Sequence, residues 1–191
     1  MESITFIDSI DSKKHLMLVY DDVVIGHEIE FHFLKRGLEN MEKCIYVTHG
    51  QVKHIEKEMR QHGMDVDNFK KQHLLRVCQI PNPLEGSVEI LDNVNAILKS
   101  ILPNPELPFR IVGRLIPDVG IEEAMSIQAY LERIFHNGIF ERLNGSVLCT
   151  YDISQIRAND GWKHWLHDLQ MNHHTYILSL NGKNTVSINQ N

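Results

Sequence analysis

Cysteine is scarce, and what there is cannot be paired into a framework. The 191-residue sequence holds three, Cys44, Cys78 and Cys149, far apart and each inside an apolar run. They predict small buried thiols in a reduced, cytoplasmic protein, and their spacing excludes a zinc site of paired cysteines. Long hydrophobic stretches are missing too. No run of about 18 uncharged apolar residues occurs, so no membrane-spanning helix is expected. Met1 to Lys14 carries polar and charged residues where a secretion leader needs an apolar core. Positive charge is in short supply: 19 Lys and Arg against 25 Asp and Glu leave a formal charge of -6, with no basic run. Direct nucleic-acid binding is not expected, because phosphate contact needs clustered Lys and Arg. Internal repeats, low-complexity tracts and linkers are also lacking.

What is present is a globular composition. At 42% hydrophobic and 23% charged residues, neither a disordered tail nor a fibre fits. The length predicts a single domain, residues 1–191, able to bury a core without disulfides.

Short apolar runs alternate with longer amphipathic ones. The runs predict strands at His15 to Tyr20, Cys44 to Thr48, Leu74 to Ile80, Arg110 to Leu115, Ser146 to Tyr151 and Thr175 to Leu180. Most are nearly continuous in apolar residues, as strands covered on both faces are. Between them, apolar residues recur at helical spacing: Val52, Ile55, Met59 before Gly63; Leu91, Val94, Leu98, Ile101 before Pro103; Ala124, Ile127, Leu131, Ile134 before Gly138; and Trp162, Trp165, Leu166, Leu169. Pro81 to Pro83 and Pro103 to Pro108 read as surface loops. Asn181-Gly182, between Leu180 and a partly alternating run from Lys183, predicts an antiparallel hairpin at the C-terminal edge. The predicted fold is therefore α/β, a mostly parallel sheet with helices on both faces.

In such a sheet, ligands bind beyond the carboxyl ends of the strands. That edge gathers Tyr20, Asp21 and Asp22 after the first strand, and His49 with Gln51 after the second. Arg114 follows the fourth, and Tyr151 with Asp152 end the fifth. These eight are the candidate ligand-binding residues. Tyr20, His49 and Tyr151 are the ones expected to line a pocket, since rings with one polar tip suit a small, partly apolar ligand. The alternative is that the two tyrosines pack under helices and bond a carbonyl, and that Asp22 simply caps the next helix.

A resemblance follows from particular residues. Gly26 to Thr48, with its Gly37-Leu38-Glu39-Asn40-Met41-Glu42 turn before a Tyr46-Val47-Thr48 strand, is similar to the helix and second strand of KaiC-type, RecA-like ATPases. Gln61 to Val77 also resembles a stretch of that family. The resemblance implies a RecA/KaiC-like three-layer sandwich. Its chemistry needs a glycine-rich phosphate cradle with a lysine and a Ser or Thr. Tyr20 to His27 offers one glycine, no lysine and no hydroxyl, and Asp21 and Asp22 put like charges where phosphates would lie. The acid expected after the fourth strand is replaced by Arg114.

The sequence resembles more closely the MEDS domain, a sensory branch of that fold without the phosphate loop. His15, Tyr20, Phe33 (or Phe31), Gly37-Leu38, Glu42 and Tyr46-Val47 meet its opening pattern. Arg110 to Arg114 and Leu148 to Asp152 are similar to two later strands, with Arg114 standing where the pattern is acidic. The resemblance, over roughly residues 15 to 178, implies a prokaryotic, non-catalytic module that senses small organic compounds. The length leaves no room for an output segment, so it predicts an accessory sensor or one whose signalling partner is a separate protein. A degenerate subunit that assembles with itself or with an active ATPase is the second expectation. A nucleotide-binding or hydrolytic enzyme with a non-standard site is the third.

No metal site, catalytic residue or cofactor is expected. His27 and His32 stand about 140° apart on a helix and cannot easily share an ion. His164, His167 and Asp168, with His173 and His174 beyond, lack reinforcing ligands. Cys149 sits in an apolar strand with no evident activator and is expected to be inert.

Overall fold

The computed structural model describes residues 3–11, 13–85, 90–101 and 108–189. Seven strands form one sheet: β1 (His15–Tyr20), β2 (Lys43–Thr48), β3 (Leu75–Gln79), β4 (Phe109–Val112), β5 (Gly145–Asp152), β6 (Thr175–Leu180) and β7 (Lys183–Ile188). Their order is β3-β2-β4-β5-β1-β6-β7. All neighbouring pairs run parallel except β6 and β7, which close the sheet as an antiparallel hairpin. The turn between them is the expected Asn181-Gly182, with φ of 53° and 68°. Two successive left-handed residues match the twist of a tight hairpin, and glycine takes the second without strain.

Helices cover both faces. On one side lie α1 (Ser3–Asp8), α2 (Val23–Glu39), α3 (Val52–Gln61) and α4 (Val66–Lys71), whose Phe6, Ile29, Phe33, Ile55 and Val66 pack on Leu16, Leu18, Tyr46 and Leu148 of the sheet. On the other lie α5 (Ile90–Ile101), α6 (Glu122–Ile134), α7 (Ile153–Arg157) and α8 (Trp162–Met171). Their Val94, Ile97, Met125, Leu131, Ile156 and Leu169 pack on Met17, Val19, Val47, Ile111 and Cys149. The result is the predicted three-layer α/β sandwich, with the β6–β7 hairpin at its edge. The loop expected at Pro103 to Pro108 falls, except for Pro108, outside the described residues.

The structure refines the sequence reading in three places. Helices α1, α4 and α7 are only five or six residues long, too short to repeat an apolar period. The fourth strand ends at Val112, because Gly113 and Arg114 leave the sheet. Helix α6 is rotated from the predicted stripe: Gln128 and Glu132 are buried, while Ile127 and Ile134 are only half-buried. Past Ile134 the helix widens into a π-helical turn at Phe135–Ile139, which holds Gly138.

Candidate functional site

Beyond the carboxyl ends of β1, β2, β4 and β5 the strands leave a polar pocket of about 190 Å³, lined by Tyr20, His27, Glu30, Tyr46, His49, Arg114 and Thr150 among others. Glu30 stands on the buried face of α2 and is 1% exposed. Tyr46 Oη donates to its carboxylate at 2.7 Å. Burial pushes the Glu30 carboxyl above its usual range, against the pull of His27, the Tyr46 and Thr150 hydrogen bonds and Arg114. Burial, then the Glu30 charge, pushes the Tyr20 phenol up to about 12. Tyr46 rises for the same two reasons.

His49 is half-buried, yet both ring nitrogens are buried without a hydrogen-bond partner among the described residues. Burial pushes its pKa down, while backbone groups of Arg114, Ile80 and Leu115 act in the opposite direction. Arg114 is held rigidly: Nε donates to Ile116 O at 2.9 Å, Nη1 to Thr150 O at 3.0 Å, and Nη2 to Pro117 O at 2.5 Å and to Gln155 Oε1 at 2.8 Å. Four of its five donors serve the protein itself.

Of the eight candidates, the pocket brings together Tyr20, His49 and Arg114. Asp21, Asp22, Gln51, Tyr151 and Asp152 lie outside its lining. Asp22 Oδ1 accepts from Val24 N at 2.8 Å and caps α2, and Asp152 Oδ1 does the same for Ser154 N at 2.7 Å and caps α7. Asp21 Oδ2 accepts from Asn181 N at 2.7 Å and ties the end of β1 to the hairpin turn. Gln51 is the exposed residue before α3, without a side-chain capping bond.

Tyr151 is displaced from the pocket by sheet register. Tyr20 pairs with Asp152 and Val19 with Tyr151. Paired residues point to the same face and successive ones to opposite faces, so Tyr151 shares the face of Val19, not of Tyr20. It is fully buried there, its Oη donating to Glu132 Oε1 at 2.6 Å and accepting from Gln128 Nε2 at 3.0 Å. Glu30 and Tyr46 were missed. The available signal was an acid, Glu30, on the core-facing stripe of α2 with Gly26, Phe33 and Gly37.

A second polar cluster lies on the Tyr151 face, where Glu132 is surrounded by His15, Cys149 and His173, all buried. Burial opposes ionisation of Glu132, but the His15 hydrogen bond and the flanking imidazoles outweigh it and hold the carboxyl at about 2. Burial, then His15, pushes His173 down to about 3. Burial, then the Glu132 charge, pushes the Cys149 thiol well up. His174 and His136 pack beside His15, with His174 Nδ1 accepting from His15 N at 3.0 Å; elsewhere His27 Nδ1 is 3.3 Å from Glu58 Oε2, His32 Nε2 is 2.9 Å from Asp8 Oδ1, and exposed His164 Nε2 is 3.4 Å from Asp168 Oδ2.

A three-layer sandwich on a mostly parallel sheet, with a polar pocket at the strand edge, places the chain among the open α/β folds. The chain resembles a solved structure described as "KaiC-like protein PH0186 from hyperthermophilic archaea Pyrococcus horikoshii OT3", at 15% identity and a TM-score of 0.57, covering 92% of this chain and 78% of that one. Residues 14–162 match the MEDS family, described as "MEthanogen/methylotroph, DcmR Sensory domain". The chain belongs to the MEDS family. No significant match is found among curated proteins. Among the described residues, no helix is long and apolar enough to cross a membrane.

Proposed function

We propose that this chain is a non-catalytic sensory domain that binds a small polar organic compound in the strand-edge pocket and transmits binding as a conformational change. Its family description supports the sensory role. The observation that carries the binding role is His49, whose buried ring nitrogens lack hydrogen-bond partners among the described residues and stand beside the buried Glu30 carboxyl. A buried polar atom left without a partner costs about 1–3 kcal/mol, which a ligand able to donate and accept hydrogen bonds recovers. Nucleotide hydrolysis by the phosphate-loop route does not fit. The β1–α2 connection is only Asp21 and Asp22, and the amide of Val24 at the helix start is taken by Asp22. A carboxylate pair for acid–base chemistry is not favoured either, because Glu30 is the one carboxylate among the described residues of the lining.

The test is a thermal-shift screen of the whole chain against small organic compounds, ATP and ADP, with and without magnesium. A compound at 100 times its dissociation constant adds about 2.7 kcal/mol of stability. The expected result is a shift with an organic compound that disappears in His49→Ala. A magnesium-dependent shift with ATP would sink the proposal. Silence from every compound would favour a second reading, assembly with a protein partner or another copy. That reading has its own observation: exposed Tyr130 and Met171 and half-buried Trp165 line a groove of about 290 Å³ between α6 and α8.

A further inference from the structure

We infer that the buried cluster on the opposite face of the sheet is a binding site for one divalent transition-metal ion of the zinc class, ligated by His15, Glu132, Cys149 and His173. The cluster is separate from the strand-edge pocket, and its donor atoms stand close together. His15 Nε2 lies 3.3 Å from Glu132 Oε2 and 3.4 Å from Cys149 Sγ. Glu132 Oε2 lies 3.6 Å from Cys149 Sγ and 3.6 Å from His173 Nε2. All four atoms fall within 4.8 Å of one another. A tetrahedral ion with bonds of about 2.0–2.3 Å sets its donor atoms roughly 3.3–3.7 Å apart. Four of the six separations among these donors, which come from four separate parts of the chain, already fall in that range, and the other two lie within 4.8 Å.

Hydrogen bonds orient the donors inward. His173 Nδ1 lies 2.6 Å from the Leu169 carbonyl, so it carries the proton and leaves Nε2 with a lone pair. That Nε2 is buried and has no hydrogen-bond partner among the described residues. Glu132 Oε1 accepts from Tyr151 Oη at 2.6 Å and from Gln128 Nε2 at 2.7 Å, leaving Oε2 for the cluster. His15 Nδ1 is 3.2 Å from His136 Nδ1, which leaves its Nε2 facing Glu132 and Cys149. Outer contacts of this kind fix tautomer and direction in metal sites.

Charge closes the argument. The four side chains are nearly or wholly buried, with His15 and His173 at 0%, Glu132 at 4% and Cys149 at 5% exposed. A divalent cation held by a thiolate, a carboxylate and two neutral imidazoles is a net-neutral group, which burial tolerates where an isolated charge is penalised. Binding forms four coordinate bonds, breaks the Cys149 S–H bond and releases that proton to solvent, with no change of oxidation state. Glu132 and Cys149 also form part of the wall of an apolar cavity of about 60 Å³ beside α5 and α6. The mixed sulfur, nitrogen and oxygen set favours zinc or cobalt over magnesium or calcium.

The test titrates cobalt(II) into the whole chain after chelator treatment. The expected result is one ion per chain, with tetrahedral visible bands, a thiolate-to-cobalt charge-transfer band, and displacement by zinc. Cys149→Ser should lose the charge-transfer band. His173→Ala should weaken binding beyond the roughly 10- to 100-fold that an outer contact alone costs. His164→Ala, on the exposed face of α8, should change nothing. X-ray absorption on the zinc-loaded wild type needs no variant to fold, and should give one sulfur at about 2.3 Å and three lighter donors at about 2.0–2.2 Å. Failure to bind cobalt, a band that survives Cys149→Ser, or an absorption spectrum without sulfur would each overturn the assignment.

Discussion

Arg110 is the buried charge that gives the MEDS-like turn its meaning. Its side chain is 3% exposed in the sheet, and Nε and Nη2 donate to the two oxygens of Glu42 at 3.0 and 3.2 Å while Nη1 donates to Phe33 O at 3.1 Å. Gly37 leaves room for it, because a Cβ there would lie 2.7 Å from Arg110 Cδ and 2.8 Å from Cys44 Sγ. The glycine and the acid of that turn, read in the sequence as a resemblance, are thus two requirements of one arginine. Removing one partner of a buried pair leaves an uncompensated charge. Glu42→Gln should therefore lower stability by about 3 kcal/mol, the low end for a carboxylate still partly open to water, as read by urea denaturation. Glu30 gives a second prediction at this scale. Its folded pKa is raised by burial, so its contribution to stability is full below the unfolded value and is lost as pH rises through the folded one. Wild type should lose stability from about pH 4.5 upward through that group. Glu30→Gln should flatten that loss in unfolding curves taken at several pH values. An unchanged slope would show that Glu30 ionises without penalty.

At the scale of elements, the acids after β1 and β5 act on the chain's own backbone. Asp22 and Asp152 sit where helix starts leave amides unsatisfied, and a cap of this kind is worth about 1 kcal/mol. Asp22→Ala should cost that amount by chemical denaturation. Asp21→Ala removes the acceptor for Asn181 N, and hydrogen exchange should then quicken at the β6–β7 turn more than in β1. Cap positions were legible because they depend on the adjacent residues alone, as with Asp22, or with Gly63, where α3 ends as expected. The facing of α6 was not. The apolar pattern pointed to Ile127 and Ile134, but the fold turns Gln128 and Glu132 inward because Tyr151 and His15 wait there to satisfy them. A polar residue enters the core when its partners are present, and those partners come from other elements.

The whole sheet shows the same division. Continuous apolar strands separated by amphipathic helices announced the layers, and Asn181-Gly182 announced the hairpin, since both signals are local. Which strand residues meet across the sheet depends on register, and it is register that parts Tyr151 from Tyr20 and joins His15 to Cys149. The second polar cluster draws on the start of β1, the last turn of α6, the middle of β5 and the α8–β6 connection, so no sequence spacing could display it. This dispersion sets its thermodynamic consequence. An ion bound only when those four elements are assembled stabilises the folded state as a whole, by about 2.7 kcal/mol when free zinc is 100 times its dissociation constant. Zinc should accordingly raise the unfolding midpoint of the wild type, and His173→Ala should abolish the rise. His49→Ala, on the other face of the sheet, should retain it. Loss of the zinc effect in His49→Ala with its retention in His173→Ala would mean that the ion acts at the strand edge, and equal effects in all three would place it on the surface.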